Sequence, residues 1–153
     1  MAGSLALAGC SYLSPVQTSA DYQTSDGVPV DLGSVQIRNL LVVAGAKDSP
    51  GVLVAQIVNT GSFDATVRFT VAGSTGTGTD VVRASVPPGG STTLAAGATE
   101  LTLPSVPAIP GGLVTLDVQT ADSGTTPVSV PVLAPEGHLA DQTPAPSPSP
   151  SAS

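Results

Sequence analysis

The chain has 153 residues, the length of one domain with short flanking segments, and its formal net charge is −7. Hydrophobic residues make up 41% of it and aromatic residues only 3%, so a core must be built from Val, Leu, Ile and Ala. The four basic residues are scattered along the sequence: Arg38, Lys47, Arg68 and Arg83. Nucleic-acid binding needs several cations against the phosphates, and anionic lipid needs a polybasic segment, so we expect no nucleic-acid partner and no basic membrane patch.

The first element is a short segment that ends on the only cysteine, Cys10. The sequence Leu-Ala-Gly-Cys at 7–10 has the form of a lipobox, whose cysteine takes a diacylglyceryl group before a signal peptidase cuts in front of it. Two acyl chains make such an anchor stable. Only nine residues, none of them basic, precede Cys10, whereas a signal peptide needs a basic region and a longer apolar stretch.

Residues 1–10 are therefore predicted to be a truncated signal peptide, with the natural start upstream of Met1 and Cys10 as the lipid attachment site. The alternative is an ordinary N-terminus in which Ala-Gly-Cys occurs by chance. Residues 11–31 begin with many Ser, Thr, Gln and Asp residues and few apolar ones, which predicts a flexible tether.

About seven short strands are predicted in residues 32–133, where Val, Thr, Gly and Pro are frequent. Their approximate bounds are 34–44, 52–58, 65–71, 81–86, 91–95, 113–120 and 128–132. Turn residues lie between them, at 48–51, 59–62, 87–90 and 122–124.

Clean alternation in three of these strands predicts which side chains face inward. They are Ala65, Val67, Phe69 and Val71, then Val114, Leu116 and Val118, then Val128, Val130 and Val132. The first strand ends as a continuous apolar run, which indicates either a bulge near Asn39 or cover on both faces further along. Pro131 predicts an edge position for the last strand. Together the strands predict an all-β fold, a two-sheet antiparallel sandwich of the immunoglobulin-like or cupredoxin-like type.

The last segment, residues 134–153, is rich in Pro, Ser and Ala toward its end and predicts a disordered tail. Its one histidine, His138, stands among Pro, Gly and Ala and is expected to be solvated. The acids that could act without histidine are mostly in turns or on outward positions: Asp64, Asp80, Glu100, Asp117 and Asp122. The glycine-rich stretch 73–78 lacks the following helix and adjacent lysine of a phosphate loop, so it predicts an inter-strand connection. No catalytic residue is expected.

The stretch DGVPVDLGSVQIRNLLVVA, at 26–44, is similar to the first strand of the mycobacterial LpqE-type lipoproteins. Residues 59–61 and 86–90 match the turn after the second strand and the proline-rich loop of the same group. With the lipobox, the chain resembles small actinobacterial surface lipoproteins over about residues 10–133. That group is loosely joined to periplasmic copper chaperones that share a cupredoxin-like sandwich.

Copper chaperones of that group bind Cu(I) through His and Met, which soft copper favours. In this chain the only Met is Met1 and the only His is His138, beyond the last predicted strand. The resemblance therefore carries over the fold without the metal site, and we expect no metal and no cofactor. Three widely spaced acids (Asp21, Asp26 and Asp31) do not have the spacing of a calcium loop.

These observations predict an exported lipoprotein, held by its lipid on the extracytoplasmic face of the cell membrane. Its domain would be non-catalytic, with a binding or assembly role toward an envelope protein or a cell-wall component. One alternative is a degenerate copper-chaperone-like protein that binds a metal or a small ligand. A second alternative, less favoured, is an envelope hydrolase that uses carboxylates.

Overall fold

The computed structural model describes residues 26–75 and 80–144, whose regular structure is almost entirely β. Within them the strands are β1 (Val28–Leu32), β2 (Val35–Ala44), β3 (Ser49–Asn59), β4 (Ala65–Val71), β5 (Val81–Val86), β6 (Ser91–Leu94), β7 (Thr102–Val106), β8 (Leu113–Gln119) and β9 (Thr125–Leu133). A short 3₁₀ helix, Gly137–Leu139, follows the last strand. The predicted all-β class is confirmed.

The strands form one hydrogen-bonded path, in the order β5-β4-β8-β9-β2-β3-β6, which folds into two layers. β1 adds to β2 and β7 adds to β3. We call the layer of β1, β2, β3, β6 and β7 the first sheet, and that of β5, β4, β8 and β9 the second sheet. The two ends of this path, β5 and β6, approach each other, and there the hydroxyl of Thr92 donates to the carbonyl of Ser85 at 3.0 Å. The result is a nearly closed sandwich.

The predicted alternation places the core correctly. Val67 and Phe69 on β4 and Leu116 and Val118 on β8 are fully buried. Val130 on β9, in the same sheet, is buried on the same inner face. Burying each such side chain stabilises the fold by about 1.5–3 kcal/mol relative to leaving it exposed. The core is thus a valine- and leucine-rich layer between the two sheets.

β2 contains the bulge, and the bulge changes which face of the strand is inward. Arg38 pairs with Gln56 and Leu41 with Val54, so two residues of β2 lie opposite one residue of β3. The extra residue is Asn39, whose φ of 55° is left-handed. Before the bulge the odd-numbered side chains enter the core, and after it the even-numbered ones do: Val35, Ile37, Leu40, Val42 and Ala44.

The second explanation of the apolar run also holds, because Leu41 and Val43 are covered on the outer face of the first sheet. They form a separate buried cluster with Leu139 of the 3₁₀ helix. The amide of Ala96 donates to the side chain of Gln142 at 2.8 Å and fixes the same segment further along. The prediction of disorder from residue 134 onward is therefore wrong for 134–142, since an apolar stripe outside the core needs cover. Residues 145–153 lie outside the described residues.

Two strands were not predicted, and both contain a proline. β1 holds Pro29 and β7 holds Pro104. Each pairs with one neighbour only, β1 with β2 and β7 with β3, so the missing amide hydrogen costs no ladder bond on the open side. The predicted tether, residues 11–31, is consequently wrong at its end, because the sheet already begins at Val28.

Two smaller predictions need correction. β3 begins at Ser49, so the turn before it lies at 45–48 and closes on Asp48, which has a φ of 61°. β9 is not simply an edge strand. After Pro131 it passes from the second sheet to the first, where Val132 pairs with Val42 in the one parallel pairing among these strands.

Candidate functional site

The predicted lipid attachment site, Cys10, lies outside the described residues, as does Met1. The described chain begins at Asp26, two residues before β1. In the part of the chain that the structure describes, no helix has the length and apolar character needed to cross a membrane.

His138 lies at the surface beside Asp26. Its Nε2 is 3.3 Å from a carboxylate oxygen of Asp26, and the two side chains are 75% and 57% exposed. A pair so open to water contributes little to stability. It does bring the two ends of the described chain together, since Asp26 precedes β1 and His138 belongs to the segment that covers β2.

The candidate acids are dispersed over separate elements of the domain. Asp64 precedes β4, Glu100 precedes β7 and Asp122 lies in the β8–β9 turn, while Asp117 projects from the middle of β8. Asp80 accepts a hydrogen bond from the hydroxyl of Thr75 at 2.9 Å. Residues 26–75 and 80–144 contain no group of three or more His, Cys, Asp or Glu side chains placed to hold a metal ion.

A recess of about 240 Å³ lies at one end of the sandwich, between the β4–β5 connection and the end of β7. Its lining consists of Val71, Ala72, Gly73, Ser74, Asp80, Pro104, Ser105 and Pro107. Proline rings and small side chains make most of this surface, with one carboxylate and two hydroxyls among them. Pockets for drug-sized ligands occupy roughly 300–1,000 Å³, so this recess has room for one side chain or a small group.

Two apolar side chains stand exposed after β7, one on the β7–β8 connection and one at the first position of β8. Ile109 is 62% exposed and Leu113 is 67% exposed, and the amide of Gly112 donates to the carbonyl of Ile109 at 2.9 Å. The sequence did not predict the β7 side of the recess, because Pro104 and Pro107 argue against a strand there. Leu103 and Val106 are the buried residues of Thr102–Val106, and because they are three positions apart no strand alternation marked this segment in the sequence.

The basic residues are less scattered than their sequence spacing suggests. Arg68 on β4 and Arg83 on β5 lie directly opposite each other in the antiparallel pairing. Arg38 is held on the first sheet, where it forms an ion pair with Asp31 at 2.8 Å. Half of the four basic residues of this acidic chain therefore meet on the outer face of the second sheet.

No protein-family model matches the chain, and no curated protein matches it. Solved structures do match. The copper-bound PCuAC domain from PmoF2 superposes with a TM-score of 0.53 and 18% identity, over 71% of this chain and 99% of that one. The apo PCuAC domain from PmoF1 gives 0.54 and 18%, over 71% and 100%. The apo PmoF2 domain gives 0.53 and 17%, over 72% and 98%.

The chain therefore shares the fold of these PCuAC domains, one of which is copper-bound, and this agrees with the expected copper-chaperone-like β group. Its described residues do not fit a Cu(I) centre built on His and Met. Copper(I) prefers thiolate and thioether ligands and also accepts imidazole. Among these residues the one such side chain is His138, which faces Asp26 at the surface.

Proposed function

We propose that the protein is a lipoprotein of the cell envelope whose β-sandwich serves as a non-catalytic binding domain on the extracytoplasmic face of the membrane. The lipid on Cys10 would hold it there, and an envelope protein or a cell-wall component would be its partner. The observation that carries this proposal is the order along the chain, in which a Leu-Ala-Gly-Cys lipobox precedes a domain of the PCuAC fold.

The spacing between anchor and domain supports the proposal. Fifteen residues separate Cys10 from Asp26. A chain of that length reaches at most about 54 Å when fully extended, enough to hold a domain clear of lipid headgroups. The surface also supports a binding role, because the recess between the β4–β5 connection and β7 has room for one side chain. Ile109 and Leu113, which follow β7 in the chain, are exposed apolar side chains.

Metabolic labelling with palmitate in an actinobacterial host, using the gene with its natural upstream sequence, tests the anchor. We expect label in the wild type and in Ser11→Ala, which keeps the thiol and the lipobox, and none in Cys10→Ser. The wild type should sediment with membranes and C10S should not. Mass spectrometry that finds a free thiol at Cys10 in the mature wild-type protein would overturn the proposal.

The second candidate function is that of a copper-chaperone-like protein that has kept some metal binding, and the PCuAC fold favours it. The free thiol of Cys10 would itself take up Cu(I), so the titration should use the full chain carrying C10S. Sub-micromolar Cu(I) uptake by C10S that is lost in C10S/H138A would support this function. Absence of uptake by C10S would remove it, while leaving the lipoprotein proposal in place.

A further inference from the structure

We infer that the outer face of the second sheet carries a binding site for an oxyanion of the phosphate class, with Arg68 and Arg83 as its charged residues. The ligand would be a small soluble phosphate ester. The site consists of described residues on β4, β5 and β8 alone, so it does not depend on lipidation of Cys10 or on the recess at the end of the sandwich.

The strand register places the two guanidinium groups on one face. Arg68 pairs with Arg83 across β4 and β5 and with Gln119 across β4 and β8. Side chains directly opposite in an antiparallel pair have Cβ atoms about 4.5–5.5 Å apart and lie on the same side of the sheet. Arg83, Arg68 and Gln119 therefore form one row of three hydrogen-bond donors across the sheet.

Neither arginine has an ion-pair partner among the described residues, although the chain has eleven acids. Both side chains are exposed. Like charges directly opposite each other destabilise a sheet, so this pairing is unfavourable as it stands. An anion bound between the two guanidinium groups would offset their repulsion, because it attracts both of them.

A polar depression adjoins Arg68, and it provides the neutral donors that an oxyanion needs. It measures about 180 Å³ and is lined by Thr66, Arg68, Gln119, Thr120 and Ala121. The Thr66 hydroxyl, the Gln119 amide and the guanidinium forks can all donate to phosphate oxygens. Arginine binds phosphate through paired N–H donors, which are among the stronger hydrogen bonds in proteins.

Asp117 is the acid nearest to this row in the register. It pairs with Thr70, one row away from Arg68, and lies diagonal to it at about 7–8 Å. A long arginine side chain can span that separation, but Arg68 and Asp117 form no ion pair among the described residues, and the carboxylate is close enough to weaken anion binding. More distant acids are screened at physiological ionic strength, where the Debye length is about 8 Å.

The number of basic residues on this face favours a soluble ligand over a lipid surface. Membrane-binding segments typically combine 4–8 basic residues, whereas this face has two on a chain of net charge −7. Two arginines suffice for one phosphate group held at short range. A flat anionic membrane would instead meet the net negative charge of the whole protein.

The test is a ¹⁵N-HSQC titration of the full chain carrying C10S with inorganic phosphate and with glycerol 3-phosphate, against potassium chloride at matched ionic strength. We expect saturable shifts of the Arg68, Arg83 and Gln119 amides with both phosphates and none with chloride. R68Q and R83Q should each weaken binding about tenfold. D117N should strengthen it, and R38Q, which removes an arginine from the first sheet, should leave it unchanged.

Equal shifts with chloride, or equal weakening by R38Q, would overturn the site. Co-sedimentation with vesicles of phosphatidylglycerol and phosphatidylcholine is the second arm. Binding to those vesicles that R68Q/R83Q abolishes, without binding of free phosphate, would overturn the soluble ligand in favour of a lipid headgroup. All four variants change exposed or half-exposed side chains, and a retained wild-type HSQC dispersion confirms that each is folded.

Discussion

The side-chain oxygen of Asn39 accepts a hydrogen bond from the backbone amide of Gly27 at 2.9 Å. The two residues are also in close backbone contact, because a Cβ added at Gly27 would lie 2.4 Å from the carbonyl carbon of Asn39. The bulge of β2 and the residue before β1 therefore fix each other. This contact holds the start of β1 against the bulge.

Asn39→Ala is expected to destabilise the domain by about 2 kcal/mol. It removes a hydrogen bond and leaves a side chain other than Asn or Gly in the left-handed region, which costs roughly 1–2 kcal/mol. Asn39→Gly removes the same hydrogen bond but tolerates the φ of 55°, so it should cost less. Urea unfolding of both variants measures the difference. Equal loss in the two would show that the backbone conformation contributes nothing.

The sequence of β2 allowed the bulge and the two-sided cover to be anticipated, but not their relationship. Alternation failed after Arg38, and a failure of alternation marks either feature. What could not be read was that Leu41 and Val43 face outward because Asn39 shifts the phase, and that Leu139, almost a hundred residues later, covers them. Such long-range cover leaves no local pattern.

Leu139→Ala should destabilise the domain by about 2–3 kcal/mol and increase dye binding to exposed apolar surface. Leu139 is 7% exposed and forms the cover over Leu41 and Val43, and buried leucine truncations cost about 2–5 kcal/mol. His138→Ala is the matched control on the same turn and should change stability by under about 0.5 kcal/mol. Thermal unfolding with dye binding measures both. If the two variants behave alike, the segment does not cover β2.

For the proposed anion site, the spacing of the arginines in the sequence did not indicate that they lie together. Arg68 and Arg83 are fifteen residues apart in the sequence, and only the β4–β5 register places them opposite each other.

β1 and β7 were missed for a different reason. Pro29 and Pro104 argue against a central strand, but they are acceptable on strands that are paired on one side only. The resemblance to the copper-chaperone group identified the fold that the solved PCuAC domains display, whereas the lipid anchor stays a prediction.

Asn59→Ala is expected to cost about 3 kcal/mol, well above a surface substitution. Asn59 is 1% exposed at the end of β3. Its amide donates to the carbonyls of Phe63 at 2.8 Å and Val86 at 3.1 Å, and its side-chain oxygen accepts from the amide of Gly61 at 2.9 Å. Truncation leaves three backbone groups without this partner. Thr60→Ala, which removes one exposed hydroxyl bond to Ser34, is the control, and chemical denaturation should rank it far below N59A.

Arg83→Gln should stabilise the domain by a few tenths of a kcal/mol at low salt, because it removes a like charge opposite Arg68. The gain should shrink as salt rises, since the Debye length falls from about 10 Å at 0.1 M to 3 Å at 1 M. Arg38→Gln should instead destabilise the domain at low salt, because it breaks the ion pair with Asp31. Urea unfolding at both salt concentrations measures this. A loss of stability in R83Q at low salt would mean that the two guanidinium groups do not repel each other, and the physical basis for anion binding at this face would be gone.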